Sequence, residues 1–119
     1  DIERMLVCER ADRLAGEILT PSELEAFASL GDHERAELVT RTFSLKESLF
    51  KALYPLVKQR FYFQDAEVLE ATPRGLARLR LLIDLSQAWR NGALVEGQFA
   101  CFDGYLLSLV SIPTAPSPD

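Results

Sequence analysis

The nine residues from Phe43 to Lys51, FSLKESLFK, carry the side chains in this chain that are best suited to chemistry: one carboxylate and two ammonium groups. On a helix, Glu47 and Lys51 share a face about one turn apart, while Lys46 points roughly a quarter turn away. A carboxylate can bind a hard divalent cation, and an ammonium group can neutralise a phosphate. The segment therefore predicts a site for a metal ion and phosphates. On spacing alone, however, a Glu–Lys pair is more typical of an ordinary solvent-exposed helix.

A second acidic motif, Asp1-Ile2-Glu3, stands at the start of the chain. Together with FSLKESLFK it resembles the 4'-phosphopantetheinyl transferase superfamily, which joins an Asp-x-Glu strand end to a Trp/Phe-Ser-x-Lys-Glu-Ser/Ala-x-x-Lys helix. Residues 18–23, ILTPSE, are similar to the connecting motif of that family, and residues 63–68, FQDAEV, to the strand that follows its helix. The four matches occur in the family's order.

The resemblance implies a phosphoryl transfer from coenzyme A to a serine of an acyl or peptidyl carrier protein, with release of adenosine 3',5'-bisphosphate. It implies Mg²⁺, with Mn²⁺ as a substitute, held by Asp1, Glu3 and Glu47. It also implies that Glu47 and Lys51 are catalytic and that Lys46 and Lys51 bind coenzyme A. Whether Glu47 is the base, a metal ligand or both stays open.

The first half of the chain has helical periodicity. Apolar residues recur at helical spacing over residues 10–19, which predicts a first helix. Residues 20–23, TPSE, form a capping box that predicts the start of a second helix. Glu23 therefore has a structural explanation besides its match to a family acid. A long third helix is expected from a cap at Asp32 to Pro55, which stops or kinks it.

The second half has the short apolar runs and turns of β-structure. Together with the helices, these runs indicate an α+β domain over residues 1–112, in which the long helix packs on an antiparallel sheet, followed by a disordered tail at 113–119. The predicted strands are 66–69, 76–83, 98–102 and 105–112, with a turn at 72–75, a helical turn at 86–92 and a hairpin at Asp103-Gly104.

Composition limits the function classes. The chain has 119 residues, of which 48% are hydrophobic and 26% charged, as is ordinary for one globular domain. It lacks an apolar run long enough for a bilayer, so we expect a cytoplasmic protein without membrane contact. The net charge of −5 argues against nucleic-acid binding. It is also unfavourable for docking the acidic carrier proteins of this family, because both partners would be negative. Cys8 and Cys101 have no metal-type spacing.

The residues of these motifs are most similar to those in the second half of the long, pseudo-dimeric members of the family. Those members activate siderophore and surfactin synthetases and other nonribosomal peptide or polyketide pathways. We therefore expect a C-terminal half whose partner is the N-terminal half of the same enzyme. An apolar sheet face or edge should then be open. Two alternatives remain. The first is the short, trimeric holo-acyl-carrier-protein synthase. The second is a non-catalytic helical interaction domain in which Glu47 and Lys51 merely pair on the surface.

Overall fold

A computed structural model describes residues 1–112, and the predicted tail at 113–119 lies outside the described residues. After one short strand the described part contains the helices and then the remaining strands of a sheet, which confirms the predicted α+β class. Its helices are α1 (Cys8–Ile18), α2 (Pro21–Ala28) and α3 (Asp32–Val57), and a short 3-10 helix spans Phe63–Asp65. Its strands are β1 (Ile2–Arg4), β2 (Ala66–Ala71), β3 (Leu76–Leu81), β4 (Leu94–Phe102) and β5 (Tyr105–Ser111).

The strands form one antiparallel sheet in the order β1-β5-β4-β3-β2. The hairpin between β4 and β5 turns at Asp103-Gly104, where φ is 50° and 77°. Two successive left-handed residues match the twist of the flanking strands, which is why Asp-Gly favours such a turn. Strand β1, near the start of the chain, pairs with β5, the last strand. The start of the chain therefore forms one edge of the sheet.

Helix α3 is buried on two sides. Leu45, Leu49 and Leu53 pack on the sheet in one apolar core, whereas Ala36 and Val39 pack against α1 in another. The helix therefore lies between α1 and the sheet. As a result, polar side chains on several of its faces are enclosed by protein.

Several details differ from the sequence prediction. Strand β4 begins at Leu94 rather than at residue 98, and β3 ends at Leu81 rather than at residue 83. Helix α3 continues through Pro55 to Val57, so the predicted stop was wrong. The proline lies in the last turn, where its missing N–H removes only one hydrogen bond, and the helix ends at Lys58 in the left-handed region with φ 53°. Gly31, not Asp32, is the N-cap residue. Residues 86–92 form irregular turns rather than a helical turn.

The face of the sheet opposite α3 is open in the described part of the chain. Several of its side chains are apolar and exposed, among them Leu109 at 61% and Leu76 at 51%. In the strand register Ile2 lies opposite Leu107 and Leu107 opposite Ala100, so the apolar side chains form neighbours across strands. We call this surface the open sheet face; its large apolar residues are Ile2, Leu76, Leu94, Phe102, Leu107 and Leu109. None of the helices in residues 1–112 has the length and apolar character to cross a membrane.

Candidate functional site

Asp1 is fixed between the sheet and α3. Its carbonyl oxygen accepts a hydrogen bond from the backbone N–H of Ser108, and its backbone nitrogen donates to the carbonyl oxygen of Ser108, both at 2.7 Å. Its side chain is only 5% exposed. One carboxylate oxygen pairs with Lys51 Nζ at 3.0 Å, and the other accepts from Ser44 Oγ at 2.7 Å. The structure thus brings together Asp1 and Lys51, two predicted site residues that are far apart in sequence.

A chain of buried hydroxyl groups extends from this carboxylate into the protein. Ser44 Oγ lies 2.7 Å from Ser108 Oγ, which lies 2.7 Å from Ser48 Oγ. Each hydroxyl has one proton, and an ionised carboxylate only accepts. If Ser44 donates to Asp1, then Ser108 must donate to Ser44. Ser48 can then donate to the Ser108 hydroxyl at 2.7 Å, and its second acceptor is the carbonyl oxygen of Ser108 at 3.3 Å. When Ser48 donates to the hydroxyl, all three donors point towards Asp1, an arrangement in which each hydrogen bond polarises the next.

Glu47 and Lys51 line the same open depression at the surface. The Lys51 side chain is 66% exposed, and Glu47 is half-buried. The wall that α3 forms also contains Phe50 and Tyr54, and the aromatic segment 61–63 forms another wall. A ligand can therefore reach both predicted catalytic groups from solvent.

Glu3 lies two residues after Asp1 and therefore on the same side of β1. It lines a second depression together with Thr40 and Phe43 of α3. Among residues 1–112, however, there is no group of three or more His, Cys, Asp or Glu side chains placed to hold a metal ion. The predicted donors Asp1 and Glu3 lie beside α3 and Glu47 lies on it, but the three do not form such a group. Their chemistry fits Mg²⁺, which usually binds one or two carboxylates, several waters and substrate phosphates rather than a cage made only of protein.

Lys46, which was predicted to bind coenzyme A, lies in the interior of the protein. Its side chain is fully buried, and its ammonium group donates to the carbonyl oxygens of Ile18 and Phe63 and to Glu23 Oε1, each at 2.8 Å. These three bonds use all the donors of a lysine. Burial lowers the pKa of Lys46 below 10.5, and the neighbouring Glu23 carboxylate opposes that change. In this position Lys46 has no donor left for a phosphate.

Glu23 has the structural role that its capping box predicted. Its Oε1 accepts from the backbone N–H of Thr20 at 2.8 Å, and the Thr20 hydroxyl accepts from the N–H of Glu23 at 3.4 Å. Its Oε2 accepts from the N–H of Val68 at 2.6 Å. Glu23 thus ends in a buried network with Lys46 rather than in either depression.

The roles of Ser44, Ser48 and Ser108 were not predicted. Ser108 lies on the same face of β5 as the buried residues Leu106 and Val110, which places its hydroxyl on the core face of the strand. A polar residue in an apolar register is a signal that sequence analysis can find. The contact between this hydroxyl and α3, however, follows only from the tertiary structure.

Comparison with known proteins gives consistent results. Residues 1–110 match the family model for the 4'-phosphopantetheinyl transferase superfamily. A holo-[acyl-carrier-protein] synthase of Lactobacillus johnsonii is 37% identical over 70 residues, which are 58% of this chain and 59% of that protein. A crystal structure of Thermotoga maritima holo-[acyl-carrier-protein] synthase superimposes with a TM-score of 0.66 at 27% identity, covering 92% of this chain and 58% of that one.

The chain thus spans somewhat less than three fifths of the length of each of these relatives. Both carry the name of the class that the sequence analysis gave as its first alternative. The expected long type, with a missing N-terminal half as partner, receives no support from these comparisons.

Proposed function

Because this chain belongs to the 4'-phosphopantetheinyl transferase superfamily, we propose that it transfers the phosphopantetheine arm of coenzyme A to a serine of an acyl carrier protein, as a holo-acyl-carrier-protein synthase. The observation that carries this proposal is the pairing of Asp1 with Lys51 across β1 and α3, beside Glu47 in an open depression. The names of the two relatives support an acyl carrier protein over a peptidyl one.

In this reaction the oxygen of the carrier serine forms a bond to the phosphorus that bears the pantetheine arm. The bond from that phosphorus to the bridging pyrophosphate oxygen breaks, and adenosine 3',5'-bisphosphate leaves. Lys51 places a positive charge in the depression, where it can neutralise the phosphate oxygens and the leaving group. Glu47 lies in the same depression and can accept the serine proton, directly or through a water molecule.

Asp1, Glu3 and Glu47 would hold Mg²⁺, or Mn²⁺ in its place, together with phosphate oxygens of coenzyme A. When bound, the cation would neutralise charge on the pyrophosphate. Lys51 holds one of the two oxygens of the Asp1 carboxylate, so the cation and Lys51 would compete for this carboxylate. The buried hydroxyl of Ser44 holds its other oxygen and limits its rotation.

We also propose that copies of this chain associate through the open sheet face; the resemblance implies that short members of the family form trimers. The support is the row of large exposed apolar side chains on a face without a covering element in residues 1–112. Monomeric proteins seldom leave large contiguous apolar patches in water. Cytoplasmic location and a role in siderophore or polyketide synthesis stay predictions.

The test is the intact mass of purified apo acyl carrier protein after incubation with coenzyme A, Mg²⁺ and this chain. We expect the mass to rise by one phosphopantetheine, and we expect EDTA and the Glu47→Gln variant to prevent the increase. The natural flanking sequence is added in a second arm. If neither form modifies any of several carrier proteins, the proposal fails and the interaction-domain alternative is favoured. Transfer that persists in EDTA would refute the proposed metal site but not the proposed transferase activity.

A further inference from the structure

The ammonium group of Lys46 connects the two walls of the catalytic depression. Lys46 belongs to α3, whose next residue, Glu47, lines one wall. Its Nζ donates at 2.8 Å to the carbonyl oxygen of Phe63, which belongs to the other wall, formed by segment 61–63. The same nitrogen also holds the carbonyl oxygen of Ile18 at the end of α1. One buried cation therefore joins α3 to both of the segments beside it.

The ring of Phe63 also packs against α3. Its centroid lies 5.5 Å from that of Phe43 and 5.4 Å from that of Phe50, both on α3. Phe63 lines the depression that contains Glu47 and also the depression that contains Glu3. A displacement of this residue would change the shape of both depressions at once.

Glu23 extends the Lys46 network from α3 to the start of α2 and to β2. Its carboxylate accepts from Lys46 and from the backbone N–H groups of Thr20 and Val68, so it joins the start of α2 to β2. The Glu23 side chain is 6% exposed and the Lys46 side chain is not exposed at all. A buried ion pair of this kind has a large desolvation cost and is weak grounds for a role in stability. Its use must be sought in geometry.

We propose that Lys46, held by Glu23, is a positioning residue for the transferase reaction: it sets the distance between the α3 wall, with Glu47 and Lys51, and the wall at Phe63. This inference rests on the proposed function for its catalytic readout. Lys46 touches no substrate in this role. Its loss should therefore lower the turnover number while the Michaelis constant for coenzyme A changes little.

The experiment compares Lys46→Met, Glu23→Gln and the double variant. Lys46→Met leaves the Glu23 carboxylate buried without its cation, so it should lose stability and could unfold. The double variant removes both charges and should regain part of that stability. It does not regain all of it, because Gln offers one acceptor oxygen to the backbone N–H groups of Thr20 and Val68 where the carboxylate offers two. Glu34→Gln with Lys58→Met makes the same charge changes at exposed positions and serves as the matched control.

For the folded double variant we expect a turnover number about 10- to 100-fold below the parent, as a displaced catalytic group produces. The Michaelis constant for coenzyme A should change by less than about threefold. Hydrogen exchange of the amides in residues 61–65 should become faster while exchange in the β4–β5 hairpin stays at its parental rate. The control variant should match the parent in each respect.

A double variant with parental turnover would overturn the positioning role and leave Lys46 a structural residue. A turnover number that is kept with a Michaelis constant raised more than about tenfold would instead indicate a direct contact with coenzyme A. If the parent itself transfers nothing, the proposed function fails, and hydrogen exchange decides the inference separately. Unchanged exchange at 61–65 in the double variant would then refute the connection between the walls.

Discussion

The chain of hydroxyl groups behind Asp1 makes a sharp prediction for Ser44→Ala. Ser44 is fully buried, and its hydroxyl is the protein donor to one oxygen of the Asp1 carboxylate. A hydrogen bond to a charged group contributes about 1.5–3 kcal/mol to stability, and a buried group left without a partner adds a comparable cost. The remaining pair with Lys51 offsets little, because that lysine is mostly exposed and exposed pairs contribute less than about 1 kcal/mol.

We therefore expect Ser44→Ala to lower the free energy of unfolding by about 2–3 kcal/mol. Ser48→Ala removes only contacts between neutral groups at the far end of the chain, to the hydroxyl and the carbonyl oxygen of Ser108, and should cost about 1 kcal/mol. Ser111→Ala is the matched control, since Ser111 lies on β5 like Ser108 but is exposed; its change should stay within about 0.5 kcal/mol.

Urea unfolding followed by circular dichroism measures these differences, with the m value as a check that all variants unfold to similar states. The expected order of destabilisation is Ser44→Ala, then Ser48→Ala, then Ser111→Ala. If Ser44→Ala were as stable as Ser111→Ala, the hydroxyl chain would not hold the Asp1 carboxylate and the reasoning would be wrong. The reasoning would also be wrong if Ser48→Ala lowered the free energy of unfolding more than Ser44→Ala does.

Further predictions concern the site, the turns and the assembly. Glu47→Gln should abolish transfer to a carrier protein, yet leave the free energy of unfolding within about 0.5 kcal/mol of the parent; near-parental transfer rates would remove Glu47 from the site. Gly75→Ala places a Cβ 2.3 Å from the Phe99 carbonyl oxygen at a φ of 89° and should cost about 2 kcal/mol or more by urea unfolding. Gly92→Ala, at a φ of 96° with open space, should cost less, and equal losses would contradict the clash. Leu109→Glu should lower the native mass of any assembly formed through the open sheet face, as measured by light scattering; an unchanged mass would exclude that face.

Features that depend on neighbours in the sequence were predictable. The capping box at residues 20–23 and the Asp103-Gly104 hairpin form as expected, because each depends on a few adjacent residues and their backbone angles. The α+β class followed from the change of periodicity along the chain. The family also followed from the sequence, since its motifs lie in short contiguous segments and residues 1–110 match the family model.

The direction in which individual polar side chains point depended on the tertiary structure. A helical face that contains Lys46 is normally assigned to solvent, but α3 lies between α1 and the sheet, and the ammonium group is enclosed by Ile18, Glu23 and Phe63. Likewise, the pairing of Asp1 with Lys51 requires β1 to join the sheet beside β5, a contact between opposite ends of the chain.

Sequence by itself therefore determined the family, the fold class and which residue types could do chemistry, because these are properties of local motifs and periodicity. Only the tertiary structure decided which of those residues face a common depression and which support it from within. The physical reason is that burial and hydrogen-bond partners arise from segments that are distant along the chain, as Ser44 and Ser108 show beside Asp1.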